Sequence, residues 1–267
     1  MQIDYGKFPY SYPISTAKKK CKERYVGFRF LTKVPKIIFP NKDIYALSYA
    51  YFRWFDDIVD SIKLGKEDVG YIIKRQKDFL NELYLKGFPE EIATEELFLA
   101  HFVRFDQLEK RRLKTHIVEL VKTLEFDFDR RGRVISAQEL ESYINSNVSS
   151  YIAISLSIFD LPRRFKESFY QISYAAFVID YIYDLRSDIR LGFINIPEEE
   201  IEEFKLNPAS LDSEEAKNWI KCKINSIEKN FYKPLPKGLP ILPYIMIRLM
   251  ILKRKFKLKQ IKGHVLT

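Results

Sequence analysis

The chain has 267 residues, with 45 Lys and Arg against 36 Asp and Glu, a formal net charge of +9, and 46% hydrophobic residues. That length and apolar content suffice for one large core. Two cysteines exclude a disulfide framework, the lack of any run of about 18 apolar residues excludes a membrane-spanning helix, and no Gly-rich phosphate loop of either common type supports nucleotide-cofactor chemistry.

Apolar residues recur at spacings of three and four in long segments, and no strongly alternating strand series stands out. The fold class expected is therefore all-α, a helical bundle forming a single domain over 1–267, with a core near 25–255 and a basic tail. Met1 to Lys7 offers no apolar signal core. The spacing predicts helices near 41–62, 66–86, 89–126, 136–158, 162–190, 210–230 and 240–258. Breaks fall at Pro40-Asn41, Gly87-Phe88-Pro89, Leu161-Pro162 and Pro197. Phe231 to Pro240 is the clearest loop.

The first of these helices holds Tyr49-Ala-Tyr-Phe-Arg53-Trp-Phe-Asp56-Asp57-Ile-Val-Asp60, in which Asp56 and Asp60 stand four apart and face the same way. The fifth holds Asp180, Asp184 and Asp188, a ladder of three carboxylates on one stripe that repels itself unless cations sit on it. Either segment alone fits a solvated face or a surface ion-pair network. Two of them, each flanked by Phe, Tyr, Ile and Val, point to partly buried carboxylates that need a partner or a metal.

Magnesium suits such a pattern, because it takes oxygen ligands and is held by one or two carboxylates while substrate phosphates supply the rest. A diphosphate bound to such ions becomes a good leaving group. An allylic carbon left behind is a carbocation that needs electron-rich walls, and 17 Tyr with 21 Phe offer candidates.

These motifs resemble the squalene/phytoene synthase family of head-to-head prenyltransferases over roughly 25–255. The family's tyrosine, arginine and Asp-Asp-x-x-Asp run is similar to Tyr49, Arg53, Asp56, Asp57 and Asp60 without gaps. Its middle segment, an acidic-basic turn and a tyrosine-bearing helix, resembles Asp127 to Arg133 followed by Glu139-Leu140-Glu141-Ser142-Tyr143. The second motif keeps Asp184 and Asp188 but carries Phe177, Asp180 and Tyr183 where family members have Gln, Asn and Arg. Its Gly-Arg-x-Tyr-Leu-Pro tail reads Gly192-Phe-Ile-Asn-Ile-Pro197, and Val148 to Ile152 replaces an Ala-Gly-x-x-Gly patch.

The resemblance implies an isoprenoid synthase bundle with a central active-site cavity. Asp56, Asp60, Asp184 and Asp188 would hold Mg2+, Tyr49 and Arg53 would contact diphosphate, and Tyr143 and Phe177 would shape or stabilise a cationic intermediate. Asp180 still supplies an oxygen, while Tyr183 removes a diphosphate contact. The substrate implied is farnesyl or geranylgeranyl diphosphate. Three outcomes stay open: condensation of two prenyl diphosphates, cyclisation or hydrolysis of one, and a non-catalytic scaffold.

Cys21 and Cys222 form no metal motif and suit a reducing cytoplasm and a structural role. His101, His116 and His264 are scattered and read as core or surface residues. Basic residues crowd Arg248 to Lys259, alternating with apolar ones. That pattern suits a helix lying on an anionic membrane surface. A solvated helix end is the plain alternative, and nucleic acid is not the expected partner. The placement expected is cytoplasmic, peripheral on the membrane.

Overall fold

The helix starts and stops follow local chemistry, and what those helices bury places the carboxylates. The computed structural model describes residues 15–19, 34–61, 63–88 and 92–266, with only the backbone of 264–266. Among them are α1 (Lys42–Val59), α2 (Lys66–Leu85), α3 (Thr94–Leu108), α4 (Lys114–Arg130), α5 (Ala137–Ile158), α6 (Lys166–Leu191), α7 (Glu198–Phe204), α8 (Glu214–Phe231) and α9 (Ile241–Leu266). A short helical segment at 15–19 and a 3-10 turn, Arg163–Phe165, complete the described helices. No strand occurs among the described residues, so the all-α expectation holds. The chain divides into two compact units, 1–125 with 153–161, and 126–152 with 162–267.

In the first unit α1 packs on α3, and α3 on α2. Ile44, Leu47, Tyr51, Phe55 and Val59 form the buried stripe of α1 at spacings of three and four. A polar network fixes its rotation. The Tyr51 hydroxyl donates to Gln76 Oε1 at 3.0 Å, and Gln76 Nε2 donates to Glu96 Oε1 at 2.9 Å. Arg75 grips the same carboxylate through two hydrogen bonds of 2.7 and 2.8 Å. Glu96 is 1% exposed, so loss of any partner would strand a buried charge. At the other end of α1, Asn41 Nδ2 donates to the Ile158 carbonyl at 3.0 Å and Phe39 stacks on Phe159 with ring centroids 4.5 Å apart.

The single helix expected over 89–126 is instead α3 and α4, separated by a reversal at 109–113. Buried Asp106 makes that reversal: its Oδ1 accepts the Leu113 N–H at 2.8 Å and its Oδ2 accepts the Tyr84 hydroxyl at 2.6 Å. Lys110 and Arg112 take left-handed φ values of 51° and 61° there.

In the second unit α6 packs against α8 and α9, and α8 packs against α9 and α7. Two closings of the chain matter for the site. A capping box starts α5, with the Glu139 N–H donating to Ser136 Oγ at 3.2 Å and the Ser136 N–H donating to Glu139 Oε2 at 2.9 Å. Gly192 ends α6 at φ 91°, and its carbonyl accepts the Gly132 N–H at 2.7 Å. A Cβ on Gly192 would lie 3.0 Å from Arg131 Cγ and 3.2 Å from the Gly132 nitrogen, so both the conformation and the close approach require glycine.

Three further expectations are corrected. Asp127 to Arg130 form the last turn of α4, so the turn is confined to 131–132. Helix α7 was not expected, although Pro197 followed by Glu198, Glu199 and Glu200 is a helix start with acids in its first turn. Helix α9 runs on to Leu266, past the expected end near 258, and packs on α6 and α8.

Candidate active site

In the first unit Asp56 and Asp57 sit in the last turn of α1, and Asp60 is its C-cap, its N–H donating to the Asp56 carbonyl. The carboxylates therefore stand at the negative end of the helix dipole, and the last turn contains no basic residue, so the local potential invites a cation. Arg53, one turn back, holds Asp56 at 2.9 Å and Asp57 at 2.8 Å. Burial alone would lower its pKa, but the two aspartates outweigh burial and raise it. Tyr49 is half-buried one turn earlier on the same helix. Tyr49, Arg53, Asp56 and Asp60 are thus brought together as the sequence suggested.

In the second unit the carboxylate ladder of α6 has acquired cations of its own. Arg254 of α9 donates to Asp180 Oδ2 from Nε at 3.1 Å and from Nη2 at 2.5 Å. Lys257 Nζ lies 2.9 Å from Asp180 Oδ1 and 3.1 Å from Asp184 Oδ2, and 4.4 Å from the Tyr183 ring centroid. Burial would lower the Lys257 pKa, but hydrogen bonds to Asp180 and Asp184 raise it and keep the ammonium charged. These cations were read from sequence only as surface or membrane groups. The ladder announced that cations were needed, and no local pattern said which.

Asp188, lowest on the ladder, is linked to a cation through Asn195. Its carboxyl is pushed up to about 6, first by burial and then by Asp184, against the pull of Arg130 and Asn195. It opens a chain of hydrogen bonds through the second unit. Asn195 Nδ2 donates to Asp188 Oδ2 at 3.0 Å, and Arg130 Nη1 donates to Asn195 Oδ1 at 2.8 Å. Arg130 Nε donates to Asp127 Oδ1 at 2.6 Å, and the Tyr143 hydroxyl donates to Asp127 Oδ2 at 2.7 Å. The Gly132–Gly192 contact sets this relay, because it brings the end of α4 against the turn after α6.

An aromatic layer surrounds the relay. Tyr143 stands edge-on to Phe177 at 5.9 Å and tilted against Phe126 at 5.5 Å. The Arg130 guanidinium carbon lies 5.1 Å from the Tyr143 ring and 5.3 Å from the Phe193 ring, and Arg131 covers Phe193 at 4.9 Å. Tyr143 and Phe177 are adjacent as expected. Arg130, Asp127 and Asn195 link them to the ladder, and their roles were not legible before the fold was known. His101 is a core residue, fully buried and edge-on to Phe88. Cys222 is exposed, and Cys21 lies outside the described residues.

Among the described residues no three His, Cys, Asp or Glu side chains converge as a ready-made metal cage. Hard carboxylates in pairs nevertheless fit magnesium, which needs only one or two of them when phosphate supplies further oxygens. The all-α chain thus carries aspartate pairs on two helices, with an aromatic layer beside one of them.

Comparisons with known proteins agree. A profile of the squalene/phytoene synthase family matches residues 18–228. The structure superposes on squalene synthase HpnC from Alicyclobacillus acidocaldarius with a TM-score of 0.74 and 15% identity, over 98% of each chain. It superposes on a dehydrosqualene synthase solved with a ligand at a TM-score of 0.61 and 13% identity, over 94% of this chain and 98% of that one. No curated protein matches the sequence significantly. The chain belongs to the squalene/phytoene synthase family.

Proposed function

We propose that the protein is a magnesium-dependent prenyltransferase that ionises one allylic prenyl diphosphate, farnesyl or geranylgeranyl, and joins the resulting cation head-to-head with a second. Family membership together with the retention of Asp56, Asp60, Asp184 and Asp188 carries this reading. Magnesium at the Asp56–Asp60 pair, and at the Asp184–Asp188 pair, would neutralise the charge that grows on a departing diphosphate.

The chain's own residues do the rest. Arg53 and Tyr49 orient the diphosphate beside the end of α1. Lys257 beside Tyr183, and Arg130 and Arg131 beside Phe193, supply positive charge where these aromatic residues replace the family's arginines. Tyr143, held by Asp127, and Phe177 present aromatic surface to the allylic cation. The long hydrocarbon product suits an enzyme that works at a membrane surface.

A specific observation keeps a second reading, action on a single prenyl diphosphate. Tyr183 stands where the family has an arginine, and its ring lies beneath Lys257. The test is incubation of purified protein and magnesium with each diphosphate, measuring diphosphate release and the mass of the extracted product. A doubled carbon count is expected. An unchanged count would replace condensation with cyclisation or hydrolysis. Asp56→Asn and Asp184→Asn should each remove turnover by at least about a hundred-fold without changing the helical circular dichroism. Full activity in either would overturn the ligand assignment.

A further inference from the structure

Helix α9 carries seven Lys and Arg and neither Asp nor Glu. Three of the seven form ion pairs with other helices: Arg254 and Lys257 with Asp180 and Asp184, and Lys262 with Glu228 at 2.8 Å. The other four, Arg248, Lys253, Lys255 and Lys259, are exposed. Between them lie Leu249, Leu252 and Phe256, which are 46%, 64% and 64% exposed. At about 100° per residue these three apolar side chains form one stripe. Arg248 and Lys255 run along one border, Lys253 marks the other, and Lys259 extends the line. Ile241, 68% exposed, begins the same stripe.

We propose that this face of α9 docks on an anionic lipid bilayer. Leucine and phenylalanine would enter the headgroup boundary, and the bordering cations would meet anionic headgroups. The inward ion pairs fix the rotation of the helix, so the apolar stripe cannot roll into the core. Charge selects the occupant. A second copy would set four cations against the same four cations, and a nucleic acid backbone would leave Leu252 and Phe256 without a role. The surface is separate from the carboxylates, so its docking does not rest on the prenyl chemistry.

The test is co-sedimentation of the full chain with vesicles of phosphatidylcholine alone and of phosphatidylcholine mixed with phosphatidylglycerol. Binding is expected to the mixed vesicles only and to fall in high salt. Lys253→Gln with Lys255→Gln should weaken it roughly 25-fold, about five-fold per cation. Leu252→Ser with Phe256→Ser should weaken it at least about ten-fold. Thermal unfolding and diphosphate release by the same variants in solution should stay unchanged, which keeps this result apart from the assignment of the active site. Equal binding to neutral vesicles, no binding, or variants that bind as well as the parent would each overturn the proposal. A dimer in sedimentation equilibrium that Phe256→Ser dissociates would assign the face to a second copy and overturn it too.

Discussion

Lys257→Gln is the most discriminating substitution at the second carboxylate stripe. The ammonium sits on both Asp180 and Asp184, so it competes with magnesium for the Asp184 carboxylate. Hydrogen bonds to charged groups contribute about 1.5–3 kcal/mol when buried. Lys257 is 15% exposed but Asp184 is 47% exposed, which reduces each contact to about 1 kcal/mol and the pair to about 2 kcal/mol. Without magnesium, Lys257→Gln should therefore be less stable by about 2 kcal/mol in denaturant unfolding. With the competitor gone, magnesium should bind up to about 30-fold more tightly. Added magnesium should then restore more stability to the variant than to the parent. If Lys257 also contacts diphosphate in the loaded enzyme, the same variant should show a raised KM for prenyl diphosphate despite tighter magnesium. Equal stabilisation of both proteins by magnesium would refute the competition, and an unchanged KM would remove Lys257 from the substrate site.

Gly192→Ala should cost about 2–3 kcal/mol, combining left-handed strain with pressure on the Gly132 backbone, while Gly132→Ala at φ 79° with open space around it should cost about 1 kcal/mol. Equal losses by chemical denaturation would show that the contact between the two turns is slack. His101 is fully buried, and burial followed by Arg104 pushes its pKa down to about 4. The unfolded chain, titrating near about 6.5, takes up this proton first, so the contribution is fully present above that pH and is lost as pH falls toward about 4. Between about pH 7 and pH 5 the parent should lose about 2 kcal/mol more stability than His101→Leu, a difference that cancels the opposing titration of Asp188. Parallel pH profiles would show that His101 takes up its proton as readily in the fold as in the unfolded chain.

Much of the architecture was legible because α1 and α6 state their burial locally. In α1 the apolar stripe from Ile44 to Val59 leaves Asp56 and Asp60 beside it, so helix, face and carboxylates follow from spacing alone. The break between α3 and α4 has no Gly or Pro to announce it. It depends on Asp106 reaching Leu113 and Tyr84, contacts that exist only once the fold has formed. Helix α7 had a readable signal in Pro197 and three glutamates. The relay from Asp188 to Tyr143 was not readable, because Arg130 and Asn195 are separated by 65 residues. It exists because a glycine turn after α4 lies on a glycine turn after α6.

The substituted second motif changes meaning once these long-range contacts are known. Loss of arginine at positions 183 and 193 looks, in one dimension, like loss of the charge that a diphosphate needs. In the second unit, Arg130 and Arg131 lie over the Phe193 ring, and Lys257 lies over the Tyr183 ring. Each aromatic replacement thus carries a cation from another helix on its face, an arrangement that a long polar side chain at the same position would disturb. The positive charge beside Asp180, Asp184 and Asp188 is supplied from α4 and α9 instead of from α6 itself. That distribution makes α9, whose outer face we assign to a bilayer, the same helix whose inner face sets the charge on the second carboxylate stripe.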